Sequence, residues 1–307
     1  MWEESDADTV KLPSPARLKG QRPETISSLV QVDLGALSHQ GKVRLNNEDH
    51  FLVACFDRTM RTLLTSLPAG DIPARYAETV YGMLVADGIG GAAAGEVASR
   101  TAINALVDLV LQTPDWIMRP DEESAKEVLR RMDQRFQQIK QALIEKAEAD
   151  PSLSGMGTTM TLACSLGAEL VIAHSGDSRA YLFRQGLLQR LTHDQTVAQS
   201  LADAGSIRPE EVATHPMRHV LTGAIATRGG KRPTELHQLR LIDGDQILLC
   251  SDGLTEMVTD SAIAAVLDAP GPAADTCRVL VDLALEGGGR DNVTVLLGRY
   301  HIPELPE

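Results

Sequence analysis

The sequence has few aromatic residues, little cysteine and no long apolar run. Aromatic residues make up 3% of its 307 residues, against 43% for hydrophobic residues as a whole, so the core must be mainly aliphatic. No apolar run reaches the roughly 18 residues of a membrane-spanning helix, and residues 1–4 (MWEE) lack the basic start of a signal peptide. These absences predict a globular protein without a membrane segment, and they favour a cytoplasmic location.

The four cysteines lack the Cys-x-x-Cys spacing of a redox or zinc motif. Three of them lie in apolar runs, which predicts buried free thiols in a reducing compartment. The cysteines are Cys55, Cys164, Cys250 and Cys277.

The charge balance is acidic, since 29 lysine and arginine residues face 42 aspartate and glutamate residues, for a net charge of −13. Such a surface repels a nucleic-acid backbone, and no basic stripe offsets the repulsion. The acidity fits either simple solubility or attraction for cations and basic protein segments. We therefore expect no nucleic-acid partner.

The order of apolar patterns predicts one domain after a polar tail. Residues 1–26 contain three prolines and show no periodicity, so we predict a loose tail there, followed by a single domain over 27–302. Strands in hairpin order, with two long helices in one block and another near the end, predict an α+β fold with antiparallel sheets flanked by helices. The predicted strands are 30–37, 51–56, 81–86, 158–165, 170–175, 179–183, 235–241, 246–250 and 292–299, and the predicted helices start near residues 92, 121, 197 and 275.

The segment 57–79 interrupts this pattern. It contains Pro68, Gly70 and Pro73 and has no clear period, so we predict a long loop. The loop is either an insertion, which we favour, or a docking loop.

Two apolar runs end in the same way, with an aspartate followed by glycine: Asp87-Gly88 and Asp252-Gly253. A single Asp-Gly pair after a strand is most often a hairpin turn. A carboxylate at the end of a buried strand, however, costs several kcal/mol unless a cation balances its charge. Glycine at the next position would let the backbone carbonyl turn toward that cation.

Four further carboxylates lie at a predicted strand end or beside glycine or asparagine: Glu48, Asp49, Asp177 and Asp291. Antiparallel strands can bring such ends to one sheet edge, where like charges repel unless divalent cations neutralise them. Carboxylate, carbonyl and water oxygens suit Mg²⁺ or Mn²⁺, and two such ions can generate a hydroxide and hold a phosphoryl oxygen. Because these clusters contain no histidine or cysteine, zinc is a poor fit.

Six motifs containing these residues occur in the order found in one family. Together they resemble the metal-dependent PP2C (PPM) protein serine/threonine phosphatases of the bacterial type, over roughly residues 30–300. Each motif is weak alone, but six in order are specific. The motifs are Arg44-x-x-Asn47-Glu48-Asp49, Asp87-Gly88-x-Gly90-Gly91, Gly157-Thr158-Thr159, Gly176-Asp177-Ser178-Arg179, Cys250-Ser251-Asp252-Gly253-Leu254 and Arg290-Asp291-Asn292-Val293-Thr294.

The resemblance implies a four-layer α-β-β-α sandwich with two central antiparallel sheets. It also implies hydrolysis of phosphoserine and phosphothreonine by a metal-bridging hydroxide, without a phosphoenzyme. The implied partners are phosphorylated proteins and a cognate serine/threonine kinase in signalling, and we expect a monomer.

The resemblance also implies a role for each matching residue at a core site of two Mn²⁺ or Mg²⁺ ions. Asp87 would bridge the two ions. Asp252 and Asp291 would hold the first ion. Glu48 and the carbonyl oxygen of Gly88 would hold the second, partly through water.

Three more residues complete the implied site. Asp49 would orient metal-bound water, and Asp177 would bind a third ion together with Asp252. Arg44 would take the substrate phosphate, because the guanidinium fork matches phosphate geometry.

The sequence departs from the family in two places, at Ile89 and in the segment 57–79, which is longer than compact members would need. Ile89 stands where many eukaryotic members have a histidine that is proposed to protonate the leaving alkoxide, although bacterial relatives commonly have an apolar residue there. We hypothesise that a metal-bound water is the acid; an acid limb near pH 6–7 that vanished on mutation of one histidine would contradict this. Residues 192–226 resemble the family's flap beside the active site, and we expect this flap to tune substrate choice.

Two rival functions are weaker. The run from Cys55 to Arg61 fits the Cys-x5-Arg pattern of cysteine-dependent phosphatases. It lacks glycine for a phosphate-binding loop, however, and it places Asp57 where the phosphate dianion would enter. The other rival is a catalytically weak or inactive regulatory binding module on the same fold, which the presence of every implied metal carboxylate disfavours.

Overall fold

A computed structural model describes residues 26–68, 70–90, 94–112, 122–227 and 233–303. Apart from residue 26, the predicted tail lies outside the described residues. The strands are β1 Gln31–His39, β2 Asp49–Arg61, β3 Arg75–Ile89, β4 Gly157–Thr158, β5 Met160–Leu166, β6 Glu169–Ser175, β7 Arg179–Arg184, β8 Leu187–Arg190, β9 Ile225–Ala226, β10 Glu235–Arg240, β11 Gln246–Cys250 and β12 Val293–His301. The α-helices are α1 Ile26–Leu29, α2 Ala94–Gln112, α3 Glu122–Ala149, α4 Val197–Asp203, α5 Asp252–Thr255, α6 Asp260–Asp268 and α7 Ala273–Glu286.

The strands form two antiparallel sheets. The first has the order β1-β12-β11-β7-β8, and the second has the order β10-β6-β5-β3, with β2 also paired to β3 and with β4 and β9 continuing from the end of β3. Consecutive strands pair as hairpins in β2–β3, β5–β6 and β7–β8. This topology confirms the predicted α+β class with antiparallel sheets.

The two sheets pack face to face, and helices cover both outer faces. Strand β3 illustrates this arrangement, since its side chains alternate between two hydrophobic cores. Met83 and Val85 point into the core between the sheets, whereas Leu84 and Ala86 point into the core under α2 and α3. A third core lies between the first sheet and α6 and α7. Three apolar layers between four layers of structure confirm the α-β-β-α sandwich.

The predicted loop over 57–79 is too long at both ends. Strand β2 pairs with β3 along its whole length, from Asp49 opposite Asp87 to Arg61 opposite Arg75, so residues 57–61 and 75–79 are strand and only 62–74 connect them. Both faces of β2 are exposed in this outer half, so its sequence carries no apolar alternation that would reveal a strand. Polar cross-strand contacts hold it instead, such as Thr79 Oγ1 donating to Asp57 Oδ1 at 2.8 Å.

Other predicted elements differ in smaller ways. Most strands agree with the predicted ones within a few residues, but α1, β8, β9, α5 and α6 were not predicted. Residues 91–93 and 121, where two helices were predicted to start, lie outside the described residues. Cys250 and Cys277 are buried as predicted, but Cys55 is exposed. No helix in the described part of the chain is long and apolar enough to cross a membrane.

Candidate metal centre

The register of β2 and β3 places Asp49 directly opposite Asp87 at the end of the hairpin that lies in the body of the molecule. The Asp49 side chain is buried, and its Oδ2 accepts hydrogen bonds from Ser251 Oγ and Thr294 Oγ1, both at 2.7 Å. Thr294 lies in β12 and Ser251 directly follows β11, both of the other sheet, so the carboxylate joins the two sheets. Its second oxygen, Oδ1, is buried without a hydrogen-bond partner.

Two threonines fix the backbone of Asp87. The backbone N–H of Asp87 donates to Thr159 Oγ1 at 3.0 Å, and the Asp87 carbonyl accepts from Thr158 Oγ1 and from the Thr159 N–H, both at 2.8 Å. Both threonines are buried. They therefore hold the strand end in place, a role that their position in the motif did not reveal.

Gly88 and Glu48 lie together because the Gly88 N–H donates to the Glu48 carbonyl at 3.2 Å. A methyl group on Gly88 would collide with the carbonyl of Gly95 in α2, so only glycine lets the strand end pass this close to the helix. On the other side, the Glu48 N–H donates to Asn292 Oδ1 at 2.8 Å, and Asn292 Nδ2 donates to the carbonyls of Gln40 and Asn46. Asn292 thus ties the loop carrying Glu48 to the start of β12.

The other predicted aspartates lie close enough to Asp87 for their charges to raise its pKa. Burial raises the pKa of Asp87 well above its usual range, and the charges of Asp49, Asp252, Asp177 and Asp291 raise it further. The structure therefore brings all five predicted aspartates together, although they come from five separate segments.

Five acids of this cluster have a pKa raised above its usual value. Burial raises the pKa of Asp49 to about 6 and that of Asp177 to about 7, with further contributions from neighbouring carboxylates. Burial also raises the pKa of Glu48 and, well above its usual range, that of Asp252. Raised pKa values at these five acids are the pattern expected where cations normally balance the charge.

The donor set fits divalent cations that prefer oxygen. Asp252 Oδ1, like Asp49 Oδ1, is buried without a hydrogen-bond partner, and such oxygens are rare in proteins unless an ion or water binds them. Carboxylate oxygens are ligands that Mg²⁺ and Mn²⁺ prefer. The residues present therefore fit a metal centre of this kind.

Arg44 lies at the rim of this centre, where Nη2 forms an ion pair with Asp291 Oδ2. The hydrogen bond to Asp291 raises the pKa of the Arg44 guanidinium, and about half of the side chain is exposed. An exposed cation beside buried carboxylates is placed to meet an anionic substrate.

The predicted flap, residues 192–226, is anchored beside Asp177. Arg179 Nη2 and Nε donate to the two carboxylate oxygens of Asp194 at 2.7 and 3.0 Å, which fixes the start of the segment. Asp177 and Asp252 line a cavity of about 310 Å³ together with flap residues such as Arg218.

The cavity also contains two residues that sequence reasoning missed, His219 of the flap and Glu256 at the end of α5. Glu256 follows Asp252 by four residues, a helical spacing that could have revealed it. His219 lies 33 residues before Asp252 in an irregular segment, so no sequence pattern pointed to it.

The structure contradicts the alternative of a cysteine-dependent phosphatase site at Cys55. Cys55 through Arg61 lie in strand β2, paired residue by residue with β3, so their N–H groups cannot converge on a phosphate. Burial raises the pKa of the Cys55 thiol, and the Asp57 charge raises it further. A thiol with a raised pKa is a poor nucleophile.

Comparison with known proteins supports the resemblance seen in the motifs. The family model described as protein phosphatase 2C matches residues 74–280. The chain belongs to the protein phosphatase 2C family. The two antiparallel sheets between helix layers are the fold that its solved relatives share.

Several relatives are similar over most of this chain. Serine/threonine protein phosphatase PstP of Mycobacterium tuberculosis is 38% identical over 262 residues, which cover 85% of this chain and 44% of PstP. Serine/threonine phosphatase stp of Listeria innocua is 33% identical over 215 residues, which cover 70% of this chain and 82% of stp. The crystal structure of the catalytic domain of PstP in complex with two manganese ions matches with a TM-score of 0.68 and 34% identity, covering 89% of this chain and 99% of that one. The chain thus spans less than half the length of PstP.

Proposed function

We propose that this protein hydrolyses phosphoserine and phosphothreonine in proteins with the help of bound Mn²⁺ or Mg²⁺. The observation that carries the proposal is the cluster of five aspartates with two buried, unpartnered oxygens, on Asp49 and Asp252. Membership of the family supports it, as does the manganese pair in the related PstP structure. Cations at this cluster would lower the pKa of a nucleophilic water and neutralise charge on the phosphoryl oxygens.

The chain's own residues have separable roles in this proposal. Asp87, which lies opposite Asp49 in the strand register, would bridge two cations. Asp252 and Asp291 would hold one of them, and Glu48 with the Gly88 carbonyl would hold the other. The hydrogen bonds from the threonines to Asp87 and from Asn292 to the Glu48 loop hold these ligands before any cation arrives, which lowers the cost of binding.

Asp49 and Asp177 would act next to that core pair. Asp49 is held at Oδ2 by two hydroxyls from the other sheet, so its free Oδ1 would orient a water at the cations. Asp177 would, with Asp252, hold a third cation, which is supported by their joint position in the cavity beside the flap.

Arg44 would bind the substrate phosphate. Its guanidinium is paired with Asp291 in this structure, so phosphate binding requires that this ion pair be exchanged for a pair with the substrate. An arginine that changes partners in this way can hold a phosphate dianion in two parallel hydrogen bonds.

The wider setting follows from the same proposal. The substrates would be phosphoproteins modified by a serine/threonine kinase, with the flap over 192–226 tuning which of them are accepted. The four free thiols support a reducing compartment, and we keep the cytoplasm as the proposed location and a monomer as the proposed state. The insertion at 57–79 and the domain limits of 27–302 remain predictions.

Phosphate release from a phosphothreonine peptide tests the proposal. We expect hydrolysis with Mn²⁺ and with Mg²⁺, none with EDTA, and a loss of at least 100-fold in Asp252→Asn. The matched control is Asp243→Asn, an exposed aspartate beside β11, which should keep wild-type activity. Hydrolysis that survived EDTA would refute the metal mechanism, and binding of phosphopeptide without hydrolysis would favour the regulatory binding module.

A further inference from the structure

The cavity beside the flap holds three potential ligands that do not belong to one motif. His219 Nδ1 lies 2.9 Å from Glu256 Oε1 and 4.0 Å from Asp252 Oδ2. One ligand atom from each of the three residues falls within 4.8 Å of the others. A tetrahedral zinc site, with bonds of 2.0–2.2 Å, separates such ligand atoms by about 3.3 Å. The distances in the structure lie on either side of that value, so small side-chain movements would complete the geometry.

The backbone already holds the three residues in place. Asp252 and Glu256 are four residues apart in one helical turn, and the Glu256 N–H donates to the Asp252 carbonyl at 2.9 Å, so both carboxylates lie on one face. His219 is fixed from the other side, because the next residue, Val220, accepts a hydrogen bond from the Val197 N–H at 2.7 Å. Leu221 then forms a bridge with Thr196.

The chemistry of this set differs from that of the core cluster. The core cluster offers only oxygen ligands, whereas this set adds an imidazole nitrogen, which favours zinc over Mg²⁺ and Mn²⁺. The sequence argument against zinc rested on the absence of histidine from the acidic motifs, and the flap supplies the missing histidine. Asp252 Oδ1 is buried and unpartnered, while 45% of the His219 side chain is exposed, which leaves an entry path.

We propose that Zn²⁺ binds to His219 Nδ1 and to the carboxylates of Asp252 and Glu256, at a site that shares only Asp252 with the oxygen-ligand cluster. Zinc held there ties the flap to the start of α5. It also occupies Asp252, which the proposed function needs for its own cations, so zinc inhibits hydrolysis. This inhibition rests on the proposed function, but the site itself does not.

Zinc titration of the full chain labelled with ¹⁵N-histidine tests the site without any activity measurement. The protein is stripped of metal and kept free of Mg²⁺ and Mn²⁺, because these cations would compete with zinc for the Asp252 carboxylate. Long-range ¹H–¹⁵N spectra report the ring nitrogens of the eight histidines. We expect one equivalent of Zn²⁺ to shift the Nδ1 resonance of a single histidine.

Variants assign that resonance. His219→Ala should lose the zinc-dependent shift, and Glu256→Gln should weaken zinc binding at least tenfold in competition with a chelating dye. The matched control is His215→Ala, a histidine of the same segment whose Nδ1 accepts from the Met217 N–H, and it should keep the shift. If no histidine responds, or if the response persists in His219→Ala, the site is refuted.

The inhibitory consequence has its own readout. Zinc should inhibit Mn²⁺-supported hydrolysis of a phosphothreonine peptide, and the concentration for half inhibition should rise at least tenfold in His219→Ala but not in His215→Ala. Equal sensitivity in all three proteins would refute inhibition through this site. A protein that hydrolysed no phosphopeptide at all would refute the proposed function, and the histidine spectra would still decide the zinc site.

Discussion

At the scale of single residues, Arg44 forms an ion pair with Asp291, which is also a proposed ligand of the cations. Its loss should therefore affect substrate binding more than the assembly of the site. We expect Arg44→Ala to lower kcat/KM for a phosphothreonine peptide by about 10- to 100-fold, which corresponds to the 1.5–3 kcal/mol of a hydrogen bond to a charged group. Arg44→Lys should recover part of the loss, since it keeps the charge but not the fork.

Steady-state kinetics at saturating Mn²⁺ provide the measurement for Arg44. Arg58→Ala is the matched control, because Arg58 is a similarly exposed arginine that is paired with Glu78 in the outer hairpin. Its kinetic constants should not change. A wild-type KM in Arg44→Ala would contradict the phosphate-binding role.

Thr159 should affect activity indirectly, by positioning Asp87. Its hydroxyl accepts from the Asp87 N–H and lies 2.8 Å from Ser178 Oγ, and the side chain is buried. We expect Thr159→Val to lower kcat about tenfold and to destabilise the protein by about 1–3 kcal/mol, the cost of leaving a buried donor unsatisfied. Thr159→Ser keeps the hydroxyl and should restore most of kcat.

The Mn²⁺ concentration that gives half activity distinguishes a role of Thr159 in positioning Asp87 from a role in protein stability alone. Thr159→Val should need more Mn²⁺ at a temperature where it is fully folded, because Asp87 is no longer held for its cations. If this concentration equals that of wild type, then Thr159 acts on stability alone.

At the scale of elements, the connection 62–74 at the far end of the β2–β3 hairpin is separable from the site. Twelve residue steps divide Asp49 from Arg61, which is about 40 Å at ~3.3 Å per residue. Replacing residues 62–74 by Asn-Gly joins Arg61 to Arg75 through a two-residue turn that suits paired strands. We expect this variant to fold and to keep kcat/KM on a phosphothreonine peptide within twofold.

The replacement also removes exposed leucines, since Leu63, Leu64 and Leu67 are at least half exposed. Peptide kinetics are the measurement, and the full-length hairpin is the comparison. A loss above tenfold on the peptide would show that the hairpin acts on the site, which an insertion does not do.

The same scale shows what could be predicted from sequence. Strands β3 and β11 were predictable because buried apolar runs ended in Asp-Gly, and the order of such motifs led to the carboxylate cluster. The outer hairpin was not predictable, because strands exposed on both faces carry no apolar period.

The ligands from outside the motifs were equally hidden. His219 meets Asp252 only through the folding of an irregular segment, and Thr159 looks like any other strand residue until its hydrogen bond to Asp87 is known. A sequence reveals local pattern and motif order, whereas contacts between distant segments depend on three-dimensional packing.

At the scale of the whole molecule, the fold concentrates negative charge where the two sheets meet. Asp49 is 4% exposed and joins both sheets through Ser251 and Thr294. A net charge of −13 adds to the cost of ionising it. Without bound cations, the buried carboxylates therefore lower the stability of the fold, as expected where function opposes stability.

Replacing Asp49 by asparagine should reduce this loss of stability. Burial raises the pKa of Asp49 from 3.8 to about 6 in the folded protein, so the folded state binds the proton more tightly than the unfolded state does. The stabilisation by that proton is fully present below pH ~4 and is lost as the pH rises through about 6. The amide of the substituted side chain keeps a neutral oxygen for the two hydroxyls at every pH. In EDTA at pH 7.5, we therefore expect Asp49→Asn to be more stable than wild type, by on the order of 3 kcal/mol.

Thermal and urea unfolding of both proteins from pH 4 to 8 provide the measurement. The difference in the free energy of unfolding should vanish toward pH 4, and contributions such as that of buried His174, whose pKa burial lowers, are common to both proteins and cancel. Saturating Mn²⁺ should stabilise wild type more than the variant, because the carboxylate then has its cation. A variant that is less stable than wild type in EDTA at pH 7.5 would mean that Asp49 is held by its hydrogen bonds more strongly than burial disfavours its charge.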